Sequence, residues 1–197
     1  PIIFNLLGLN GESNLNLGKE LIDALKDNGA QLRVFELNYG EVVKTVQDAI
    51  NRLNTQNYDI TKSSRVLKTA IRENISAQQL QIKLNQLESM LKGHSIVKVD
   101  TPSLNENEHK YQIDVSKLTK AIEDLYKRDE SHKTPWYIGE KIDRDVEAIS
   151  GIFKIRKQTQ ATSLKSSKAV FLTSNEQIAF AAKVYEKNEW AYKSAIP

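Results

Sequence analysis

Apolar positions along the first part of the chain repeat with the period of a helix. In residues 17–26 they recur at helical spacing, and Asn28-Gly29 follows as a helix stop. Residues 31–35 alternate polar and apolar side chains until Phe35, which predicts a strand. The helical period returns over residues 41–53. The pattern therefore predicts the order helix, strand, helix.

The middle of the chain carries the clearest helix signal. Ser76 and Gln79 form a capping box, and Gly93 marks the end of the helix that follows. This helix has one apolar stripe on an otherwise polar surface, formed by Leu80, Leu84, Leu87 and Leu91. A weaker helix is predicted over residues 63–74, and a short strand over residues 95–99.

The second half begins with a loop-like segment at residues 100–109 and continues with amphipathic helices. Helical spacing runs from Val115 to Leu125 and again over residues 145–156. Val170, Phe171 and Leu172 then predict a buried strand, which leads through Thr173 and Ser174 to Asn175, the predicted N-cap of a helix at residues 176–187. Alternating helices and strands favour an α/β fold with a short, mostly parallel sheet covered on both faces.

Composition narrows the class of protein. The chain has 197 residues, of which 40% are hydrophobic, so we expect one domain over residues 1–197. Cysteine is absent, which excludes disulfides and thiolate metal sites. No window reaches the roughly 18 apolar residues of a membrane span, so we expect no membrane partner and a cytoplasmic location. The chain begins without methionine inside an apolar run, and we expect an excerpt of a longer protein.

Acidic or amide side chains stand where several predicted helices begin. They are Glu41, Asp143, Asp145 and Asn175. Ligands bind beyond the carboxyl ends of strands in open parallel sheets, so these residues are candidates for one site. Mg²⁺ or Mn²⁺ suits an oxygen-only ligand set. A structural alternative stays open, because aspartate and asparagine are also the commonest helix N-caps.

Three segments, in this order, resemble the PIN-like family of metal-dependent nucleases. They are the strand and acid at residues 29–42, the helix opening at residues 145–149, and the strand running into Asn175 at residues 170–175. The resemblance implies a three-layer α/β sandwich in which residues 57–112 are a helical insertion. It also implies a first-strand acid that would lie just before Pro1.

The resemblance also assigns roles to individual residues. Glu41 and Asp145 would be metal-facing carboxylates, with Asp143 as a substitute for Asp145, and Asn175 would position the attacking water. Two hydroxyl side chains would support the site: Thr173 and Ser174. With Mg²⁺ or Mn²⁺ bound, the implied activity is endonucleolytic hydrolysis of phosphodiester bonds, in RNA rather than DNA.

A basic segment lies between the second and third of these signatures. It holds Lys154, Arg156, Lys157, Lys165 and Lys168, with no acid among them. Such a set is suited to line a phosphate backbone. The competing interpretation is a solvated helix end, since the helix dipole favours lysine and arginine at the C-terminus.

Two further hypotheses belong to other functional classes. One is a catalytically inactive PIN-like binding or regulatory module, indicated by Asn175 in place of an acid and by the missing first acid. The other is a helical interaction protein that contacts a partner helix through the stripe from Leu80 to Leu91; it requires this stripe to be exposed. The expected partner is nucleic acid, with a partner protein or homo-oligomer as alternatives.

Overall fold

A computed structural model describes residues 2–102, 113–128, 135–157, 163, 166–173 and 175–189 of the chain. The chain divides into two compact units, Pro1–Val99 and Asp100–Pro197. The prediction of a single domain over residues 1–197 stays a prediction.

Unit 1 contains six α-helices and a two-stranded parallel sheet in its described residues. Its elements are α1 Ile2–Leu6, α2 Glu12–Asp27, β1 Arg33–Phe35, α3 Glu36–Thr55, a 3₁₀ turn Ile60–Lys62, α4 Arg65–Arg72, α5 Ala77–Asn85, α6 Leu87–Gly93 and β2 Val97–Val99. The capping box is confirmed: Ser76 Oγ accepts from the Gln79 N–H at 3.2 Å, and Gln79 Oε1 accepts from the Ser76 N–H at 2.8 Å. The single helix predicted after it is divided at Gln86 into α5 and α6.

The two strands of unit 1 confirm the strands predicted at residues 31–35 and 95–99. They pair in parallel, with Arg33 opposite Val97 and Phe35 opposite Val99. Helix α3 begins at Glu36, immediately after β1. Residues 57–102 of the predicted insertion supply β2 and three helices to this unit. The assignment of residues 57–112 as an insertion stays a prediction.

The core of unit 1 contains most of the leucine stripe that was considered as a partner surface. Leu80, Leu87 and Leu91 are 0%, 1% and 4% exposed, and Leu84 packs against the same core. The stripe is therefore covered within the unit. The hypothesis of a helical interaction protein required these residues to be exposed, so their burial contradicts it.

Unit 2 is a helical layer in its described part. It contains α7 Val115–Arg128, α8 Pro135–Arg156 and α9 Glu176–Glu189, with α7 packed against both other helices. Its buried core is formed by Leu118, Ile122, Tyr126, Ile142, Val146, Ile149, Phe153, Ile178, Ala181 and Tyr185. The Phe153 and Tyr185 rings are in contact, with centroids 5.9 Å apart. No helix in the described part of the chain is both long enough and apolar enough to cross a membrane.

The predicted three-layer α/β sandwich is wrong. The described residues are mostly helical, and the sheet among them has only two strands. Val170–Leu172, predicted as a buried strand, pairs with no strand in the described part of the chain. Phe171 instead packs on the helical core of unit 2, while Val170 and Leu172 are exposed. A short apolar run is consistent with a buried strand, but it does not specify a backbone partner.

Candidate functional site at Tyr126

Two of the predicted site residues meet at one buried tyrosine. Tyr126 of α7 is 3% exposed, and its hydroxyl donates to Asp145 Oδ2 of α8 at 2.8 Å. The same hydroxyl oxygen accepts from Asn175 Nδ2 at 3.2 Å. Asp145 and Asn175, thirty residues apart in sequence, are thereby joined through one side chain that connects α7 with α8 and with the start of α9.

Asn175 is the N-cap of α9, as the sequence predicts. Its Oδ1 accepts from the backbone N–H groups of Gln177 at 3.1 Å and Ile178 at 3.4 Å. Its own N–H donates to Thr173 Oγ1 at 3.0 Å. The side-chain oxygen of Asn175 thus faces two donors and its amide nitrogen faces Tyr126, so each end of the amide has a structural partner.

Lys141 completes the group on the side of α8. Its Nζ lies 4.4 Å from the centroid of the Tyr126 ring, a cation–π contact. Lys141 and Asp145 are four residues apart on one helix and are therefore neighbours on its surface. Sequence reasoning missed both Lys141 and Tyr126. The available signal for Tyr126 was its place one helical turn after Ile122, on the apolar face of the helix. A tyrosine buried there needs a hydrogen-bond partner for its hydroxyl.

The other predicted acids lie elsewhere. Asp143 is exposed and is two residues from Asp145, about 200° away around α8. Both acids were expected at a helix start, but α8 begins at Pro135, so they lie in its middle. Glu41 lies in unit 1, half-buried and in the second turn of α3, not at the start of the helix.

The carboxyl end of the small sheet holds a separate polar group that does not include Glu41. Lys98 Nζ is 3.2 Å from Glu36 Oε2 and 4.6 Å from the centroid of the Tyr39 ring. The Tyr39 hydroxyl donates to Glu88 Oε1 at 3.4 Å. Partial burial, followed by the charge of Glu88, raises the pKa of Tyr39. The positive charge of Lys98 thus lies beside the carboxylate of Glu36.

The donors at Tyr126 do not fit a divalent ion as they stand. Three or more acidic or histidine side chains that could hold a metal do not converge anywhere in the described part of the chain. Around Tyr126 there is one carboxylate, already bonded to a hydroxyl, and one amide oxygen that caps a helix. The predicted Mg²⁺ or Mn²⁺ site stays a prediction, and no reaction step follows from it.

The basic residues near the end of α8 are positioned by a side-chain bond to the backbone. Arg156 Nε donates to the carbonyl of Ala169 at 2.7 Å, which brings the neighbouring Lys168 back to the end of the helix. Lys157 and Lys168 are exposed. Lys154 differs from these two exposed lysines, because its Nζ is buried and has no hydrogen-bond partner among the residues described. Two predicted site residues lie outside the described residues: Lys165 and Ser174.

Comparison of the chain with models of known families, with curated proteins and with solved structures gives no match. The resemblance to PIN-like nucleases therefore stays a prediction. Two of the arrangements described above are considered for function: the polar group at Tyr126 and the basic end of α8.

Proposed function

We propose that this chain is a nucleic-acid-binding module that holds single-stranded RNA at the basic end of α8. The supporting observation is the bond from Arg156 to Ala169, which joins the chain neighbours of Lys157 and Lys168, two lysines eleven positions apart in sequence. Both lysines are exposed and are therefore accessible to phosphate. A cytoplasmic location is part of the same proposal.

The net charge of +3 is compatible with a nucleic-acid partner, but the charge alone does not identify one. Contacts from lysine to phosphate carry little sequence information, so we expect binding with weak sequence preference. The choice of RNA over DNA follows the predicted family resemblance. This function corresponds to the binding-module hypothesis, with the fold corrected to a mainly helical one.

Metal-dependent endonuclease activity is the second candidate, and one observation favours it. Asp145 and Asn175, two of the residues expected in its site, both bond to the Tyr126 hydroxyl. Their hydrogen bonds argue against a catalytic role. To position a water with its side-chain oxygen, Asn175 would have to break its bonds to the N–H groups at the start of α9. Binding without cleavage is therefore the better-supported proposal.

Replacing both exposed lysines is the direct test of the RNA surface. In the Lys157→Ala, Lys168→Ala double variant we expect weaker binding of a fluorescein-labelled, mixed-sequence single-stranded RNA. Each lost phosphate contact should also reduce the slope of log K against log salt by about 0.7. Fluorescence anisotropy over a series of salt concentrations measures both quantities.

A matched control changes the net charge equally at another place. Lys19 and Lys26 are exposed residues of α2 in unit 1, and their double replacement by alanine also removes two charges. We expect that control to keep the affinity and most of the salt slope. Equal losses in the two double variants would mean that net charge alone binds RNA, and the assignment of the surface would be wrong.

A further inference from the structure

The segment from Lys168 to Thr173 has the exposure pattern of a strand although it pairs with none in the described chain. Exposed and partly buried residues alternate one by one along it. Phe171 packs on the core of unit 2, while Val170 and Leu172 are 40% and 39% exposed on the opposite face. This alternation indicates an extended segment with two apolar side chains on its outer face.

The Arg156 bond determines which edge of this segment is open. In an extended chain the backbone groups of alternate residues point to the same edge. The carbonyl of Ala169 points to Arg156, so the backbone groups of Val170 and Leu172 point to the opposite edge. Within the described part of the chain, these two residues make no backbone hydrogen bond. The open edge thus presents two N–H and two C=O groups beside exposed apolar side chains.

We propose that a second copy of this chain covers this edge, by antiparallel pairing of the two segments about a twofold axis at Phe171. In this register Val170 of each copy lies opposite Leu172 of the other, and the two pairs exchange four backbone hydrogen bonds. Cross-strand apolar contacts then form on the outer face, and each Phe171 stays in its own core. A twofold contact uses the same surface on both copies, as this one does.

The charges at the ends of the segment fit the antiparallel direction. Lys168 precedes the apolar residues, and Glu176, which is exposed in the first turn of α9, follows them. Antiparallel pairing brings the basic end of one segment toward the acidic end of the other. Parallel pairing would bring like charges together, which is unfavourable.

Sedimentation velocity of the full chain over a range of concentrations tests the dimer. We expect the wild-type chain to dimerise and Leu172→Lys to raise the dimer dissociation constant at least about tenfold, because a charge on an edge strand opposes pairing. Ile60→Lys is the control, since it places the same charge at an isolated exposed apolar residue in unit 1. Circular dichroism verifies that both variants are folded.

Cross-linking tests the register independently. The chain has no cysteine, so Val170→Cys and Leu172→Cys each introduce a single thiol. Directly opposite residues have Cα atoms about 5.5 Å apart, within disulfide range, whereas diagonal ones are about 7–8 Å apart. We expect an oxidised mixture of the two variants to cross-link faster than either alone. A monomer at every concentration, a dimer unaffected by Leu172→Lys, or equal cross-linking rates would each overturn the proposal.

Discussion

Exchange of Tyr126 for phenylalanine is expected to lower the free energy of unfolding by about 1–3 kcal/mol. The ring stays in the core of unit 2 and beneath Lys141, so the loss comes from the hydroxyl alone. Asp145 loses a donor and Asn175 loses an acceptor in a partly buried place. Urea denaturation followed by circular dichroism measures the change.

Tyr185→Phe is the matched control for this experiment. Its ring lies in the same core, and its hydroxyl accepts from the Asp114 N–H at 2.8 Å, a bond that involves no charged group. We expect a smaller loss there, since hydrogen bonds to charged groups contribute more. In an Asp145→Asn background the loss from Tyr126→Phe should shrink, because the charged partner is gone. Equal losses from Tyr126→Phe in the two backgrounds would show that the charge of Asp145 adds nothing to this bond, since an asparagine oxygen can still accept from the hydroxyl.

Leu67→Ala is expected to destabilise unit 1 by about 2–5 kcal/mol. Leu67 of α4 is 0% exposed in the core of unit 1, so truncation leaves a cavity that its neighbours fill only in part. Leu17→Ala makes the same chemical change at a residue of α2 that is 61% exposed, and we expect a change within about 0.5 kcal/mol. Comparable losses at both positions would contradict the placement of the core.

Signals confined to a few neighbouring residues were read correctly from the sequence. The capping box of Ser76 and Gln79 and the N-cap at Asn175 each depend on side chains within three residues of the backbone groups they bind. The strands at β1 and β2 were also located. The two caps need no knowledge of the tertiary fold, which is why they were predictable, whereas the pairing of β1 with β2 joins residues more than 60 positions apart.

Features that depend on partners distant in sequence were not predictable in the same way. The helix predicted from Asp145 begins ten residues earlier, at Pro135, where proline at the first helical position is a start signal. The strand expected at Val170–Leu172 lacked a partner in the described chain. Its run of three apolar residues did not indicate which side chains are covered, because tertiary packing decides that.

The roles assigned to the site residues stay predictions. Asp145 and Asn175 were expected in one site, and in the structure both bond to the Tyr126 hydroxyl. Glu41, expected beside them, belongs to the other compact unit. The order of the segments along the chain suggested that Asp145 and Asn175 share a site. Which atoms bond to each other depends on how α7, α8 and α9 pack.

Incubation of an end-labelled single-stranded RNA with the chain and Mn²⁺ tests binding without cleavage most directly. Asp145→Asn and the exposed-acid control Asp143→Asn, purified in parallel, identify cleavage by contaminating nucleases. We expect the RNA to be bound by all three proteins and to remain at full length on a denaturing gel. Mn²⁺-dependent products that Asp145→Asn abolishes and Asp143→Asn retains would contradict this and establish the chain as a nuclease.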